Sequence, residues 1–268
     1  MLRRVQRCQS RRLAFTLLVA IAAPACAEGW NAAIEPAAPV AAWREISGGG
    51  TATHDSWALY SSSTFAPFGD LASDGFRARI GSGYGQYRYT IPSRFYYTCP
   101  KPALICAAVP VKGRVTFGDI LAGYQLSIGQ LTIKGFAGVA SDNQMLSVHD
   151  SFNLGEGSEI GFKGVVETWL NITPKIWASL DGSWTAAHQG YATRLRLGYR
   201  ILEGVSLGLE ESVSGNVAGQ RLGSGAFVRY EWSWGEAALS GGLSAEHADT
   251  RDVSHDRPWG ALSVSVRY

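Results

Sequence analysis

The sequence predicts an all-β protein, a single transmembrane antiparallel β-barrel of about twelve strands and of the outer-membrane type. Three observations carry this. Apolar and polar residues alternate with a period of two along most of the chain. Beyond the first residues no apolar run reaches the roughly 18 residues that a spanning helix needs. The connections alternate between tight turns on one side and long loops on the other, as they do in bacterial outer-membrane barrels.

The chain opens on an export signal. Arg3, Arg4, Arg7, Arg11 and Arg12 form a basic segment, Leu13 to Ala23 a short apolar run, and Ala25-Cys26-Ala27 a small-x-small pattern. Residues 1–27 therefore read as a signal peptide cut after Ala27, too short and wrongly flanked for a membrane anchor. A lipoprotein cysteine at Cys26 is the rival reading, and Ala23 and Pro24 before it fit that poorly. Residues 28–42 are rich in Ala and Pro and read as a flexible periplasmic leader, with the barrel over 43–268.

The whole chain has 24 basic and 22 acidic residues, and loss of the signal leaves 19 bases against 22 acids. The slight basicity thus belongs to the exported segment, and nothing points to nucleic acid as a partner. No cofactor is implied. Of the four cysteines, Cys99 and Cys106 remain after cleavage, in a stretch with Pro100, Pro102 and Pro110. In an oxidising compartment two cysteines that close together are most simply a disulfide.

Strands are expected near 43–52, 56–66, 76–89, 114–128, 131–141, 159–172, 176–187, 190–202, 205–216, 221–234, 236–247 and 258–268. Even-numbered connections are mostly tight, as at Ile128-Gly129-Gln130, Thr173-Pro174-Lys175, Leu202-Glu203-Gly204 and Trp234-Gly235-Glu236. Odd-numbered ones include the long pieces 90–113, 142–158 and 248–257. An even strand count leaves both termini on the short-turn, periplasmic side. Pro67 to Gly75 is the exception, a second connection longer than its fellows.

Facing follows from charge, because an unpaired charge against lipid costs several kcal/mol. In 190–202, Tyr191, Thr193, Leu195, Leu197, Tyr199 and Ile201 share one face, and Arg194, Arg196, Gly198 and Arg200 the other. Tyr at both ends of the apolar face suits an aromatic girdle. The charged parity puts Arg77, Arg79, Lys134, Lys163, Arg194, Arg196, Arg200 and Arg229 in the lumen, with Asp119, Glu167, Asp181, Glu210 and Glu231. Glu211 is the misfit, its parity pointing to lipid unless a bulge or another register rescues it. The final strand carries Leu262, Val264, Val266 and Tyr268 on one face and ends on an aromatic residue. It looks like the terminal signal by which the barrel-insertion machinery recognises outer-membrane barrels, so that machinery and outer-membrane lipid are expected partners.

The stretch from Ala42-Trp43-Arg44-Glu45 through Tyr89 has at its core Phe68-Gly69-Asp70-Leu71-Ala72-Ser73-Asp74-Gly75-Phe76-Arg77-Ala78-Arg79, running into Gly81-Ser82-Gly83-Tyr84-Gly85-Gln86-Tyr87. Further pieces are Leu121-Ala122-Gly123-Tyr124-Gln125, Gly161-Phe162-Lys163-Gly164, Glu167-Thr168-Trp169, Arg194 to Arg200 and Gly225-Ala226-Phe227-Val228-Arg229. In order and together, they resemble the cellulose biosynthesis protein BcsS family of outer-membrane proteins. The resemblance implies an accessory role in bacterial cellulose production, export or anchoring at the surface of a Gram-negative cell. Glucan and other cellulose-synthesis components are the partners it implies, and it brings no catalytic residues. The loop holding Cys99 and Cys106 looks unlike a typical member.

Other chemistry is weaker. Gly81, Gly83 and Gly85 alternate on one strand face with no helix after them, which suits room for neighbouring arginines or a bend rather than a phosphate loop. His54, His149, His188, His247 and His255 fall at outward connections. His149 with Ser151, or His188 with Ser183, is a thin basis for a hydrolase, which needs a base, a nucleophile and an orienting group together. The acids Asp142, Asp150, Asp249, Asp252 and Asp256 lack the fixed spacing of a calcium loop, and no metal site is expected. The interior arginines are the richest set. With Glu210, Glu231, Trp169 and Trp177 they either line a path for glucan or acidic sugars, or pair into a plug that transports nothing. A narrow channel for oligosaccharides or acidic sugars is therefore the alternative to the accessory role. N-terminal sequencing of the membrane-bound protein is expected to begin at Glu28, and a chain that retains residue 1 would remove the cleaved-signal reading.

Overall fold

Period-two alternation is realised as twelve antiparallel strands in a closed barrel, in a computed structural model that describes residues 42–91, 109–151, 153–247 and 257–268. The signal segment, most of the leader, the Cys99 and Cys106 pair, His255, Asp249, Asp252 and Asp256 lie outside the described residues. The strands are β1 (Arg44–Thr53), β2 (Ser56–Phe65), β3 (Gly75–Ile91), β4 (Val109–Ile128), β5 (Leu131–Leu146) and β6 (Gly157–Asn171). They continue as β7 (Ile176–Thr185), β8 (Tyr191–Leu202), β9 (Val205–Asn216), β10 (Gly219–Trp232), β11 (Gly235–His247) and β12 (Arg257–Arg267).

Each strand pairs with its sequence neighbours, and β12 closes on β1 from Glu45↔Arg267 to Thr53↔Trp259. Arg44 and Tyr268 then exchange both backbone hydrogen bonds at 3.0 Å, so pairing runs to the last residue. Closure matters because an open edge would leave amide groups unpaired where no water can reach them. Tight turns on the terminal side need left-handed backbone, and Gly129 (φ 61°) and Gly204 (φ 72°) supply it.

The outer face is apolar where hydrocarbon would touch it. Ile80, Ile120, Val139 and Phe162 follow one another in register across β3 to β6, all exposed. Aromatic pairs bound this belt. Phe76 and Tyr124 meet edge to face at 5.3 Å on the terminal side, and Trp57 and Tyr84 at 5.6 Å on the other. Leu262, Val264 and Tyr268 of the last strand are exposed on the same outer face.

Three expectations change. The long connections are shorter than the sequence suggested, because β3 runs to Ile91, β4 begins at Val109, and β5 continues to Leu146. Phe117↔Asp142 and Arg114↔Met145 keep the ladder going, so Asp142 is a strand residue and not a loop acid. No bulge accommodates Glu211, which pairs in register with Leu195 and Ser224 and stays on the outer face. Ser224 Oγ donates to it at 2.6 Å. Ala42, grouped with the leader, is buried, and its carbonyl accepts the Leu71 amide at 2.7 Å.

Ile120 lies midway between Tyr124 and Thr116, the residue opposite Tyr84, and is 68% exposed. Ile120→Arg is expected to cost about 2–4 kcal/mol of unfolding free energy in lipid vesicles, the penalty of a cation at mid-bilayer. On a water-facing surface the same change would stay within about 0.5 kcal/mol.

Candidate functional site

The interior is built by strand alternation from side chains that lipid would reject. Lys134, Glu167, Asp181 and Arg194 stand in one register row across β5 to β8. Arg194 Nη2 reaches Asp181 Oδ2 at 2.9 Å. From β3, Arg79 crosses the lumen to Glu167 Oε1 at 2.6 Å and lies over the Phe136 ring at 3.9 Å. Arg196 holds Glu210 at 2.5 Å, Ser240 Oγ bonds the same carboxylate at 3.2 Å, and the guanidinium lies 5.1 Å from the Phe227 centroid. Closer to the outer end, Lys163 pairs with Asp119.

Toward the terminal side the lumen is filled. Arg229 pairs with both Glu231 and Glu236, which stand directly opposite each other on β10 and β11. Its guanidinium lies 4.7 Å from the Trp169 ring and 5.2 Å from Trp177. The two indoles stack at 4.2 Å, and Trp177 Nε1 donates to Ser206 Oγ at 3.2 Å. Trp177 is 0% exposed and Arg229 5%. Trp177 and Arg229 are thus themselves out of water, while the side chains of Glu231 and Glu236 stay partly accessible. Arg79, Arg196 and Arg229 each pair with a carboxylate and cover a ring, two interactions that strengthen out of water.

The second connection, long in sequence, closes the same end. Asp70 Oδ1 accepts the amides of Ala72 and Ser73, both at 2.8 Å, and folds the loop on itself. Arg77, 2% exposed, donates to the carbonyls of Asp70, Leu71 and Ser73, and Gln125 Nε2 to those of Leu71 and Ser73. Both side chains point inward, so the loop is drawn against the lumen mouth beneath β3 and β4. Arg200 does a similar task beside it, bonding Pro174 O at 2.9 Å and Asn171 Oδ1 at 2.8 Å.

Among the described residues, the half away from the termini holds a cavity. The cavity, of about 670 Å³, extends from Asp119 and Lys163 past Tyr87 and Tyr89 to Gln144 and Asn153. Tyr87 and Tyr89 lie nearly parallel at 6.1 Å. Tyr87 donates to Gln144 Oε1 at 3.1 Å, and Asn153 Nδ2 to Tyr89 Oη at 3.2 Å. Aromatic faces beside amides and carboxylates are the chemistry that holds sugars.

The charged residues assigned to the lumen from the sequence fall on the inward parity, in two groups, and Glu211 on the outer one. Arg79, Lys134, Lys163, Glu167, Asp181, Arg194, Arg196, Glu210, Arg229 and Glu231 form the interior network, whereas Arg77 and Arg200 tie down connections. Sequence reasoning missed the inward Glu45–Arg267 pair at 2.7 Å, Glu236, and the aromatic partners Phe136 and Phe227. Parity would have found the rings, since Phe227 shares a face with Arg229. Gly81 makes room for Asp119, and Gly83 for Phe117, so these glycines admit an acid and a ring rather than arginines. His149 pairs with Glu156 at 2.7 Å, not with Ser151. His188 is buried in a 3-10 turn at φ 48°, its amide on Glu159 at 2.6 Å. Among the described residues no cluster of His, Cys, Asp and Glu could hold a metal ion.

Arg196→Met strands Glu210 in the interior and is expected to destabilise by about 3–5 kcal/mol. Adding Glu210→Leu should recover most of that loss, as read from urea unfolding midpoints of the single and double variants.

Comparison with curated proteins finds no match. Among solved structures the chain is similar to the TodX deltaS2S3 mutant monoaromatic hydrocarbon channel, with a TM-score of 0.50 at 10% identity over 89% of this chain and 95% of that one. It is also similar to the transport unit of the autotransporter AIDA-I from Escherichia coli (TM-score 0.48, 11% identity, 85% and 90% covered). A third likeness is to the KdgM porin (TM-score 0.44, 9% identity, 84% and 99% covered). At such identities it is the barrel fold that is shared. The family described as cellulose biosynthesis protein BcsS matches residues 47–268, nearly the whole barrel. The chain is therefore a member of the cellulose biosynthesis protein BcsS family.

Proposed function

We propose that this protein is a non-enzymatic accessory of cellulose production that sits in the outer membrane and retains glucan at the cell surface. Family membership supplies the link to cellulose. One observation favours retention over export through the lumen: Arg229, Trp169 and Trp177 fill the terminal-side half, where Trp177 is 0% exposed. A glucan chain threading the barrel would have to displace that stack and its two glutamates. Among the described residues, the outward cavity has no comparable stack across it. Its paired tyrosines offer flat faces for pyranose rings, and Gln144 and Asn153 offer hydrogen bonds for hydroxyls.

The test measures glucan in three places: attached to cells, shed to the medium, and in the periplasm. A strain lacking the protein is expected to shed glucan without accumulating it in the periplasm. Complementation with Tyr87→Ala/Tyr89→Ala should restore a folded barrel but not attachment. Periplasmic accumulation would instead favour a conduit. In planar bilayers the purified wild-type barrel is expected to give no open steps, and Trp169→Ala/Arg229→Ala to give measurable conductance. A wild-type barrel that conducts would support the narrow-channel alternative.

A further inference from the structure

The outer face of β3 and β4 carries a cluster of bases that the interior network does not use. Arg88, Lys112 and Arg114 all fall on the outward parity and are exposed. Arg88 stands directly opposite Lys112, and Arg114 opposite Gln86, one outward pair nearer the membrane. Like charges directly opposite on a sheet face repel. The other outward residues here, Gln86, Thr90, Thr116, Asn143 and Met145, are neutral. None of the three bases makes an ion pair with a described carboxylate. Asp55, whose carbonyl accepts the Arg88 amide, has its own carboxylate on His54 and Arg257. Arg88 makes one weak bond, 3.4 Å, to His54 O.

Depth decides what these charges meet. Arg88 lies four residues beyond Tyr84, which pairs with Trp57 at the outer edge of the apolar belt. At strand rise and barrel tilt, four residues place its backbone about 10 Å further out. That is the level of lipid headgroups, and outward side chains there point into the membrane plane, not the lumen. At the opposite rim, outward Arg44 is already satisfied, bonding Ser63 Oγ at 3.1 Å and covering the Phe65 and Tyr268 rings. Among the outward-facing strand bases of the described residues, those with neither an ion pair nor a ring partner are therefore these three.

We propose that Arg88, Lys112 and Arg114 form a docking surface for the phosphorylated sugar headgroup of an outer-leaflet glycolipid. A phosphate between the strands would neutralise the Arg88–Lys112 repulsion, and two guanidinium forks would grip it bidentately. The surface does not depend on the glucan role.

The test uses the full purified barrel in detergent, with native mass spectrometry read against three probes: bis-phosphorylated lipid A, the same lipid enzymatically dephosphorylated, and inorganic phosphate. Wild type is expected to hold the phosphorylated lipid, and Arg88→Ser/Lys112→Ser/Arg114→Ser to lose about a hundredfold in affinity, at the usual worth of a basic residue on an anionic lipid surface. Binding should weaken with salt. Equal retention of the dephosphorylated lipid by wild type overturns the proposal without needing any variant. Displacement by equimolar inorganic phosphate, or full binding by a folded triple variant, overturns it too.

Discussion

Hydrocarbon tolerates neither an unpaired amide nor an unpaired charge, and the rest of this structure depends on that refusal. It forces the sheet to close, which is why β12 returns to β1 and pairing runs out to Tyr268. It also forces charge to one parity of every strand, so the lumen collects arginines and carboxylates in rows. Once inside, those groups are partly withdrawn from water and pair with each other. The Lys134–Glu167–Asp181–Arg194 row and the crossing Arg79 are the result.

The two ends of the barrel answer this demand differently. On the terminal side, long side chains from β6, β7 and β10 converge, and the Pro67 to Gly75 connection folds beneath them through Arg77 and Gln125. On the loop side the ladders of β3, β4 and β5 rise beyond the belt and wall a cavity.

Strand number and facing were legible because a period of two is a local property. Tyr191 to Leu202 declares its lipid face within a dozen residues. Strand ends were less legible, since β4 and β5 extend only because each finds the other: Lys112 and Asp142 look like loop residues until Ser147 and Phe117 pair with them. Charge partners were not legible at all where they cross the lumen, for Arg79 and Glu167 are 88 residues apart on non-adjacent strands. Glu211 broke the alternation in sequence and still breaks it in the fold, where the Ser224 hydroxyl donates to its carboxylate.

Barrel width explains the composition of the plug. Twelve strands enclose more space than the eight that ordinary side chains can fill, and less than an open sixteen-stranded pore. Aliphatic residues are too short to meet across that gap. Arginine and tryptophan are long enough, and flat enough to stack when they meet. Rings lying against the wall need bare backbone opposite them, and Trp177↔Gly198, Phe227↔Gly208 and Phe136↔Gly123 are direct cross-strand pairs in which a Cβ would collide with the ring. The abundance of glycine and the abundance of large rings in this chain, 32 glycines beside 9 tryptophans and 10 phenylalanines, are therefore linked wherever such a pair forms. Removing a ring without filling its space would loosen the guanidinium above it, and through Arg229 the pair of facing glutamates, so this cluster holds or fails as a unit.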